Sequence, residues 1–594
     1  MVNFLHLRRA VSGVALLRNN RSSATCMVAL LSIIFLSGCG GDSNSGQLFE
    51  ETPKSVGFGG LPSVEFSDPN FLGDHFSGSG SCAVCHNDMT DDTGKDVSIE
   101  SSWEATTMAQ SARDPYWRAK AAATIHNHPN LKHEVNDTCT RCHAPMANEA
   151  ARKSGETLEI FTESFTTENK YYDHAMDGVS CTLCHQIEDT GSLGTTESGS
   201  GNFSIAEFPA SDKENRPAYG QYADPVGAYM IANSDFTPAY GAHMSSSAMC
   251  ATCHELKTHS LDAEGNVIPA ELKDRFQEQQ TFTEWNNSDY RDGGSNAASC
   301  QDCHMPKIET TVTLASSGTD LRRSDFREHT FLGANTVMLD MFENFKQELG
   351  IQAEGFPEAI QRNRQFLKTA AELQLVGTRS EGDHIIATLK IDNKTGHKLP
   401  SGYPSRRVFV HLAVTDTSGA LIFESGKINP DGSIVGVDSD TNFNRYEPHY
   451  NSISNESQVL VFEAIMADAN GDVTHSLVEA NRYAKDNRLT PKGFDKTLVD
   501  NDVAVIGAAA NDDNFNAGSD LFEYRIPVNA EGNYYIVADL IYQPLAFGHL
   551  ESLFQHTEVP EVDEFKTIYD ATKLRSEIIS SAISQHTHHQ PDPL

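Results

Sequence analysis

Basic residues are scarce in this sequence. It has 45 Lys and Arg residues against 82 Asp and Glu residues, which gives a formal net charge of −37. A surface with this excess of carboxylates repels phosphate groups, so we expect no nucleic-acid partner and no docking to an anionic lipid surface. The same charge favours protein partners that present cationic patches.

Long hydrophobic runs are also missing, with one exception near the N-terminus. The run Met27–Leu36 follows four arginines, and no acidic residue precedes Asp42. This arrangement is typical of a signal peptide and predicts that residues 1–38 are removed. The run ends in Leu-Ser-Gly-Cys, which resembles the lipobox of bacterial lipoproteins, so Cys39 is the expected lipidation site. An ordinary secretory signal cleaved nearby is the alternative.

The segment after Cys39 indicates where the mature protein is held. Residues 39–70 begin with Gly, Ser and Asp and are expected to form a flexible tether. A glycine directly after Cys39 favours the outer membrane over the inner membrane. We therefore expect an exported lipoprotein of the outer membrane, facing the periplasm or the cell surface, with a soluble periplasmic protein as the alternative.

Spare cysteines are absent. Of the twelve, Cys26 lies in the signal peptide and Cys39 in the lipobox, and the other ten form five copies of Cys-x-x-Cys-His. Two thiols separated by two residues can bond to the two vinyl groups at one porphyrin edge, and the following imidazole then becomes the proximal iron ligand. Five copies with no spare cysteine argue against the two alternatives, a zinc knuckle and a redox Cys-x-x-Cys motif. The sequence thus predicts five covalently bound c-type haems, at Cys82, Cys85 and His86; Cys139, Cys142 and His143; Cys181, Cys184 and His185; Cys250, Cys253 and His254; and Cys300, Cys303 and His304.

The sixth ligand of each iron distinguishes an electron carrier from an enzyme, because a second histidine closes the site whereas a vacant position can bind substrate. His75, His174 and His243 each lie seven residues before the first cysteine of a motif. Six intervening residues can span about 20 Å when extended, so this offset does not identify which iron each histidine serves. A neighbouring iron is the expected target. The second and fifth motifs lack the offset, and for their haems the candidates are His329 and His397.

The motifs and their surroundings resemble a family of bacterial multihaem cytochromes c with a cytochrome c-552/c-554-type haem domain. The matching stretches include "DGVSCTLCHQI", "CATCHELKT", "EWNNSDY", "CQDCHMP" and "HTFLGAN". Downstream, "NKTGHKLPSGYPSRRVFVHLAV", "PHY" and "AKDNRLTPKGFDK" resemble the β-rich region that accompanies this domain in many members. The resemblance implies covalent haem and electron transfer. The sequence differs from the pentahaem nitrite reductases, which bind their catalytic haem through a motif that ends in lysine, because all five motifs here end in histidine.

Two kinds of domain are predicted along the chain. Residues 71–350 are expected to form a loop-rich, mainly helical pentahaem domain, since too few residues surround each haem for a thick hydrophobic core. Residues 351–380 are expected to form a connecting helix, with apolar positions at helical spacing after a proline. Residues 381–550 contain short segments rich in β-formers and predict an antiparallel sandwich. Residues 551–594 predict a C-terminal helix, over about 561–584, and a tail. The fold class is α+β in two parts.

Two features of the second half could suggest further metal sites. Residues 468–479 place oxygen ligands at the spacing of a calcium-binding EF-hand loop, but Val473 replaces the required glycine. A hairpin turn is therefore favoured over a calcium site. The histidines within 586–589 could bind a metal, although an exposed tail that binds none is the favoured interpretation.

These observations leave three functions to be distinguished. The leading hypothesis is a lipid-anchored conduit that passes electrons between redox partners, either donor and acceptor cytochromes or a quinol-linked membrane complex. The alternative is an enzyme that reduces or oxidises a small nitrogen or sulfur species at a haem with an open distal site. The third is a structural role in which subunits polymerise and connect their haems.

Overall fold

Each Cys-x-x-Cys-His motif lies on a short helix, and its histidine is the last residue of that helix or the one after it. On a helix the two cysteines, three residues apart, and the histidine, one residue further on, share one face. Local capping defines some of these helices; the fifth begins with a capping box formed by Ser299 and Asp302. The motif helices are α1 (Ser79–His86), α4 (Lys132–His143), α7 (Cys181–Cys184), α9 (Ser247–His254) and α11 (Cys300–His304).

The structure is a computed structural model that describes residues 61, 63–208 and 210–589. The predicted signal peptide (1–38), the lipidation site Cys39 and the first part of the tether (39–70) lie outside these residues. Within the described part of the chain, no helix is long and apolar enough to cross a membrane.

Residues 63–350, called here the motif half, contain short helices joined by long loops. Besides the motif helices, it has α2 (Ile99–Glu104), α3 (Pro115–Asn127), α5 (Pro145–Lys153), α6 (Tyr172–Met176), α8 (Ala228–Ser234), α10 (Thr281–Asn286) and α12 (Thr336–Asn344). Three two-stranded sheets pair β1 (Arg216–Gly220) with β2 (Phe236–Tyr240), β3 (Glu255–Thr258) with β4 (Phe276–Gln280), and β5 (Val312–Thr313) with β6 (Arg322–Arg323).

Residues 371–588, called here the β half, form two sheets that share one apolar core. The first sheet has the order β13–β12–β9–β15–β16 with β10 also paired to β9, and the second has the order β11–β14–β8–β7. The pairings are antiparallel except for β11 with β14. The strands are β7 (Ala371–Glu381), β8 (His384–Asn393), β9 (Arg407–Asp416), β10 (Leu421–Ser425), β11 (Ser452–Ile453), β12 (Val461–Ala467), β13 (Arg482–Asp486), β14 (Ser519–Pro527), β15 (Gly532–Gln543) and β16 (Glu577–His588).

Helices from the two halves pack against one another. The remaining α-helices of the described chain are the connecting helix α13 (Phe356–Leu367), α14 (Asp438–Thr441), α15 (Phe547–Leu553) and α16 (Pro560–Ala571). Phe565 of α16 and Tyr116 of α3 belong to one buried cluster, together with Phe342 of α12 and Phe356 of α13. Apolar side chains from both halves therefore form a common core.

The α+β class is confirmed, and residues 381–550, which were predicted to be rich in short strands, contain β8 to β15. Two helix predictions were too long. The connecting helix ends at Leu367, because the alternating residues that follow form β7 on the edge of β8. The C-terminal helix ends at Ala571, and residues 577–588 pair with β15 as a strand whose exposure alternates.

Two of the final histidines, His586 and His588, do not lie in an exposed tail. His586 and His588 are only 9% and 1% exposed, because they lie on β16. The His586 ring lies 2.9 Å from the Thr378 hydroxyl and 3.0 Å from the Ser380 hydroxyl. Strand pairing, which the sequence pattern did not reveal, accounts for this difference.

Candidate functional site

Thiols of different motifs lie next to one another. All ten motif cysteines are free in the structure, with no disulfide among them. The motif thiols meet in three pairs, and in each pair the contact lowers the pKa of one thiol. The pairs, with the affected thiol first, are Cys82 and Cys181, Cys253 and Cys142, and Cys300 and Cys250. The first motif therefore adjoins the third, the second adjoins the fourth, and the fourth adjoins the fifth.

The third and fourth motifs are neighbours as well. Burial, and after it the charge of Cys253, raises the pKa of Cys184 to about 12. The motifs consequently form one continuous series, in the order first, third, fourth and fifth, with the second beside the fourth. Bound haem groups would be correspondingly close.

The predicted proximal histidines present an unprotonated ring nitrogen. In four of them Nδ1 donates to a backbone carbonyl, because a carbonyl oxygen can only accept. This fixes the tautomer and leaves Nε2 without a proton, as iron ligation requires. The four bonds join His86 to Leu314 at 2.8 Å, His143 to Ser111 at 3.1 Å, His185 to Tyr219 at 2.6 Å and His304 to Leu332 at 2.5 Å.

Burial keeps these imidazoles neutral. It lowers the pKa of His143 to about 4. It also lowers the pKa of His254 to about 4, with a smaller contribution from nearby His304. A neutral imidazole is the form that binds a metal ion, so the residues present fit the predicted haem groups.

His329 faces the proximal histidine of the third motif. Its ring centroid lies 6.4 Å from that of His185, and the two ring planes are tilted by 22°. An iron bound by two imidazole nitrogens at about 2 Å each separates the ring centroids by roughly 6 Å. His329 Nδ1 donates to the Arg327 carbonyl at 3.1 Å, and burial, followed by His185, lowers the pKa of His329 to about 3. The sequence placed His329 with the second or fifth motif, whereas the structure places it opposite the third.

His397 faces the proximal histidine of the fifth motif in the same manner. The ring centroids of His304 and His397 lie 6.3 Å apart, and their planes are tilted by 15°. His397 Nδ1 donates to the Lys398 carbonyl at 2.8 Å, which again leaves Nε2 available. This pairing joins a motif in the first half of the chain to a loop of the β half, as the sequence suggested for His397.

The three histidines at the seven-residue offset are placed differently. His174 packs against the Phe71 ring at 4.2 Å, and burial, with His75 nearby, lowers the pKa of His174 to about 4. His243 Nε2 donates to the Ile187 carbonyl at 2.9 Å. Among the residues that the structure describes, no histidine ring faces His86, His143 or His254 in the way that His329 faces His185.

Buried polar side chains surround the second motif. The Trp117 ring stacks on the His143 ring at 4.2 Å with a tilt of 2°. The buried hydroxyl groups of Tyr116 and Tyr403 lie next to each other. Burial, followed by Tyr116 and Glu278, raises the pKa of Tyr403 well above its usual value, and burial raises the pKa of Glu278 to about 8. Two phenol groups and a carboxyl group are thus buried close to this motif.

The calcium-like segment forms a turn instead of an ion-binding loop. Strand β12 ends at Ala467, which bridges to Val473 in antiparallel fashion. Asp468 Oδ1 accepts the backbone N–H groups of Asn470, Gly471 and Asp472. The carboxylate therefore caps the turn, which is the interpretation that the sequence favoured.

A buried His-Asp-Asp cluster in the β half was not expected from the sequence. His449 Nε2 lies 3.2 Å from Asp512 and 3.8 Å from Asp520, and these three groups could hold a metal ion. However, His449 Nδ1 accepts from the Asn487 side-chain amide at 3.1 Å. Its Nε2 then carries the proton and donates to Asp512, so the cluster is held by hydrogen bonds.

Buried charged residues near His397 were also missed by sequence reasoning. Glu284, Lys398 and Asp486 are at most 2% exposed. All three lie in stretches that resemble the family signatures, but that resemblance assigned them no role. Gly396, before His397, approaches Trp285 so closely that a β-carbon would lie 3.1 Å from the indole ring.

Comparisons with known proteins give little further information. No protein-family model matches the sequence, and no curated protein matches it. Among solved structures, the chain is similar to a penta-haem cytochrome c552 from Thermochromatium tepidum, with a TM-score of 0.47 and 16% sequence identity. The similarity covers 87% of this chain and 100% of that one. Similarity at this level is too low to transfer the role of any residue.

Proposed function

We propose that this protein is a lipid-anchored pentahaem c-type cytochrome that carries electrons between redox partners. The observation that carries the proposal is the pairing of His185 with His329 and of His304 with His397, at ring separations of 6.4 and 6.3 Å. Two independent pairs at the spacing of an iron bridged by two imidazoles support low-spin haems with both axial positions filled.

The adjacency of the motifs supports a continuous route for electrons. Haem iron supplies one-electron oxidation and reduction, and transfer between irons requires short gaps between macrocycles. The thiols place the first, third, fourth and fifth motifs in series, so the first and fifth motifs are the proposed ends. Val84 in the first motif is 74% exposed, and Cys303 in the fifth motif is also exposed. Both ends are therefore accessible to a partner.

The proposed partners are donor and acceptor cytochromes or a quinol-linked membrane complex. The net charge of −37 favours partners with basic docking patches and predicts association that weakens as salt increases. Lipidation at Cys39 would keep the protein on the outer membrane, facing the periplasm or the cell surface, with a soluble periplasmic form as the alternative.

A second candidate function is reduction or oxidation of a small nitrogen or sulfur species at the second motif. It is favoured by the buried hydroxyl groups of Tyr116 and Tyr403 and by the buried Glu278 close to this motif. Together with the absence of a described histidine opposite His143, they support an open distal side that could bind a small polar ligand.

Analysis of the purified full-length protein tests both proposals. Mass spectrometry and the pyridine haemochrome spectrum should give five covalently bound haems per chain, and fewer than five would contradict the main proposal. Low-temperature EPR of the oxidised protein distinguishes the two functions. Low-spin signals alone would support the pure conduit, whereas a substantial high-spin ferric signal would support the enzyme.

A further inference from the structure

Three segments that resemble family signatures meet beside His397, although the electron-transfer proposal gives most of their residues no role. The Asp289 backbone N–H, in the motif half, donates to the Lys492 carbonyl of the β half at 2.8 Å. The junction thus joins the two halves through backbone as well as side chains. The three segments are residues 284–290, 393–404 and 484–496.

Four charged side chains are buried at this junction. Glu284 belongs to α10 of the motif half, and the other three belong to the β half. Lys398 Nζ and Arg488 Nη2 each lie 2.7 Å from Asp486. Arg488 Nη1 also lies 2.9 Å from Glu284 Oε1. This contact is an ion pair without a hydrogen bond, because the N–H is not directed at the oxygen. Their exposed fractions are 0% for Glu284, 0% for Lys398, 2% for Asp486 and 7% for Arg488.

The two positive and two negative charges balance. A buried ion pair recovers little more than its own desolvation cost, so such a cluster does not by itself explain stability. Removal of one member, in contrast, leaves an uncompensated charge in a medium of low polarity, which is strongly unfavourable. The arrangement is therefore sensitive to the loss of any single charge.

Glu284 also holds the loop just after His397. Its Oε2 accepts the Lys398 backbone N–H at 3.1 Å and the Ser401 hydroxyl at 2.7 Å. The His397 carbonyl in turn accepts the Asn393 side-chain amide at 2.9 Å. A carboxylate from the motif half and an amide from the β half thus fix the two ends of the same peptide group, the one that follows the proposed ligand.

We propose that Glu284 is a positioning residue that holds His397 on the iron of the haem attached at Cys300 and Cys303, and that its charge lowers the reduction potential of this iron. The inference rests on the proposed function, since it requires a haem between His304 and His397. A buried negative charge favours the oxidised iron, which carries one more positive charge than the reduced iron. Loss of this charge should therefore raise the potential.

The test uses the full-length protein with its haems, studied by potentiometric titration followed by EPR. Replacement of His397 by Ala first identifies the signal of the fifth haem. We then expect Glu284→Gln to shift the potential of that haem upward and to convert part of its low-spin signal to high spin. The double variant Glu284→Gln with Arg488→Gln restores the charge balance, and we expect it to return the potential towards the wild-type value.

A matched control separates positioning from general loss of stability. Arg407 and Asp440 form an equally buried pair in the β half, with both guanidinium nitrogens 2.7 Å from the carboxylate. Asp440→Asn breaks this pair, and we expect it to leave all five potentials unchanged. If Glu284→Gln does not yield folded protein, Arg488→Gln is measured alone, and its excess negative charge should shift the same potential downward.

The outcomes distinguish the inference from the function on which it rests. If His397→Ala leaves every spectrum unchanged, His397 is not a ligand and the axial pair of the proposed function is wrong. If His397→Ala produces a high-spin haem but the Glu284 and Arg488 variants change neither potential nor spin state, only the role of Glu284 is overturned. Equal shifts of the reduction potential of the fifth haem in Glu284→Gln and Asp440→Asn would also overturn the role of Glu284.

Discussion

The centroids of the imidazole rings of His304 and His397 lie 6.3 Å apart and the ring planes are within 15° of parallel, although the two residues belong to opposite halves of the chain. This spacing admits one iron between their Nε2 atoms. Because His304 ends a motif helix and His397 lies in a loop of the β half, a haem bound there connects the two halves. The β half then contributes directly to one redox site.

Replacement of His397 by Ala should convert one of the five haems to the high-spin state. The reason is that the facing imidazole is removed while His304 remains. Low-temperature EPR and the absorption spectrum of the oxidised protein measure the change, and added imidazole should reverse it. His411→Ala is the matched control, because His411 lies in the same half but its Nε2 is hydrogen-bonded to the Glu424 carboxylate at 3.1 Å. A high-spin signal in the control alone would contradict the assignment.

Replacement of both Cys139 and Cys142 by Ala should weaken any high-spin signal of the wild-type protein. These cysteines are the predicted attachment site of the haem whose proximal ligand, His143, faces no described histidine ring. Loss of this haem would remove one open site and leave the other four haems in place. The readouts are haem content and EPR, and the paired change at Cys300 and Cys303 is the control, because His304 faces His397. An undiminished high-spin signal would place the open site at another motif.

Replacement of Leu412 by Ala should destabilise the β half by about 2–5 kcal/mol, since it leaves a cavity in the core. Leu412 is fully buried on β9, opposite Ala538 of β15. The free energy of unfolding is measured by guanidinium titration followed by far-UV circular dichroism. Leu498→Ala is the control, because Leu498 is 81% exposed and its truncation should change stability by at most about 0.5 kcal/mol. Equal effects would contradict the assigned core.

Asp520 should contribute a loss of stability as the pH rises from about 4 to about 8. Burial, followed by the charge of Asp512, raises the pKa of Asp520 to about 8. Across this window the folded protein binds a proton that the unfolded chain has released, so each increase in pH favours unfolding. Above pH 8 both states are ionised and this contribution is constant.

Asp520→Asn tests that pH dependence, because the amide cannot ionise. Relative to wild type, the variant should gain stability on the order of a few kcal/mol between pH 5 and pH 8. Thermal unfolding at several pH values provides the comparison. Asp383→Asn, at a side chain that is 79% exposed, should give no such trend. A constant difference between Asp520→Asn and wild type would show that this carboxyl group does not titrate in the window.

Local patterns in the sequence predicted several strands correctly. Haem attachment at the five motifs, which follows from thiol spacing and an adjacent imidazole, stays a prediction. Strands such as β9 and β15 were predicted from runs of β-formers. Strand β16 was predicted as a helix, because its pairing with β15 depends on a partner strand that no local pattern identifies.

The two pairs of facing histidine rings show where spacing along the chain fails to identify which histidines meet. Three histidines share one offset, yet the two rings that face a proximal histidine are His329 and His397, which lack it. Both lie on loops whose course depends on tertiary contacts, such as those from Glu284 to the residues after His397. Local sequence could suggest His397 as a ligand, but it could not identify the buried charges that hold it.

The contribution of His397 from the β half has a thermodynamic consequence. A bond between its imidazole and the iron would serve both as an electronic connection and as a tertiary contact. By linkage, the free energy of that bond would stabilise the folded β half, and the folded β half would favour the bond by the same amount. A molecule whose β half opens would lose the connection at the same moment. Electron flow through the fifth motif would then report directly on whether the β half is folded.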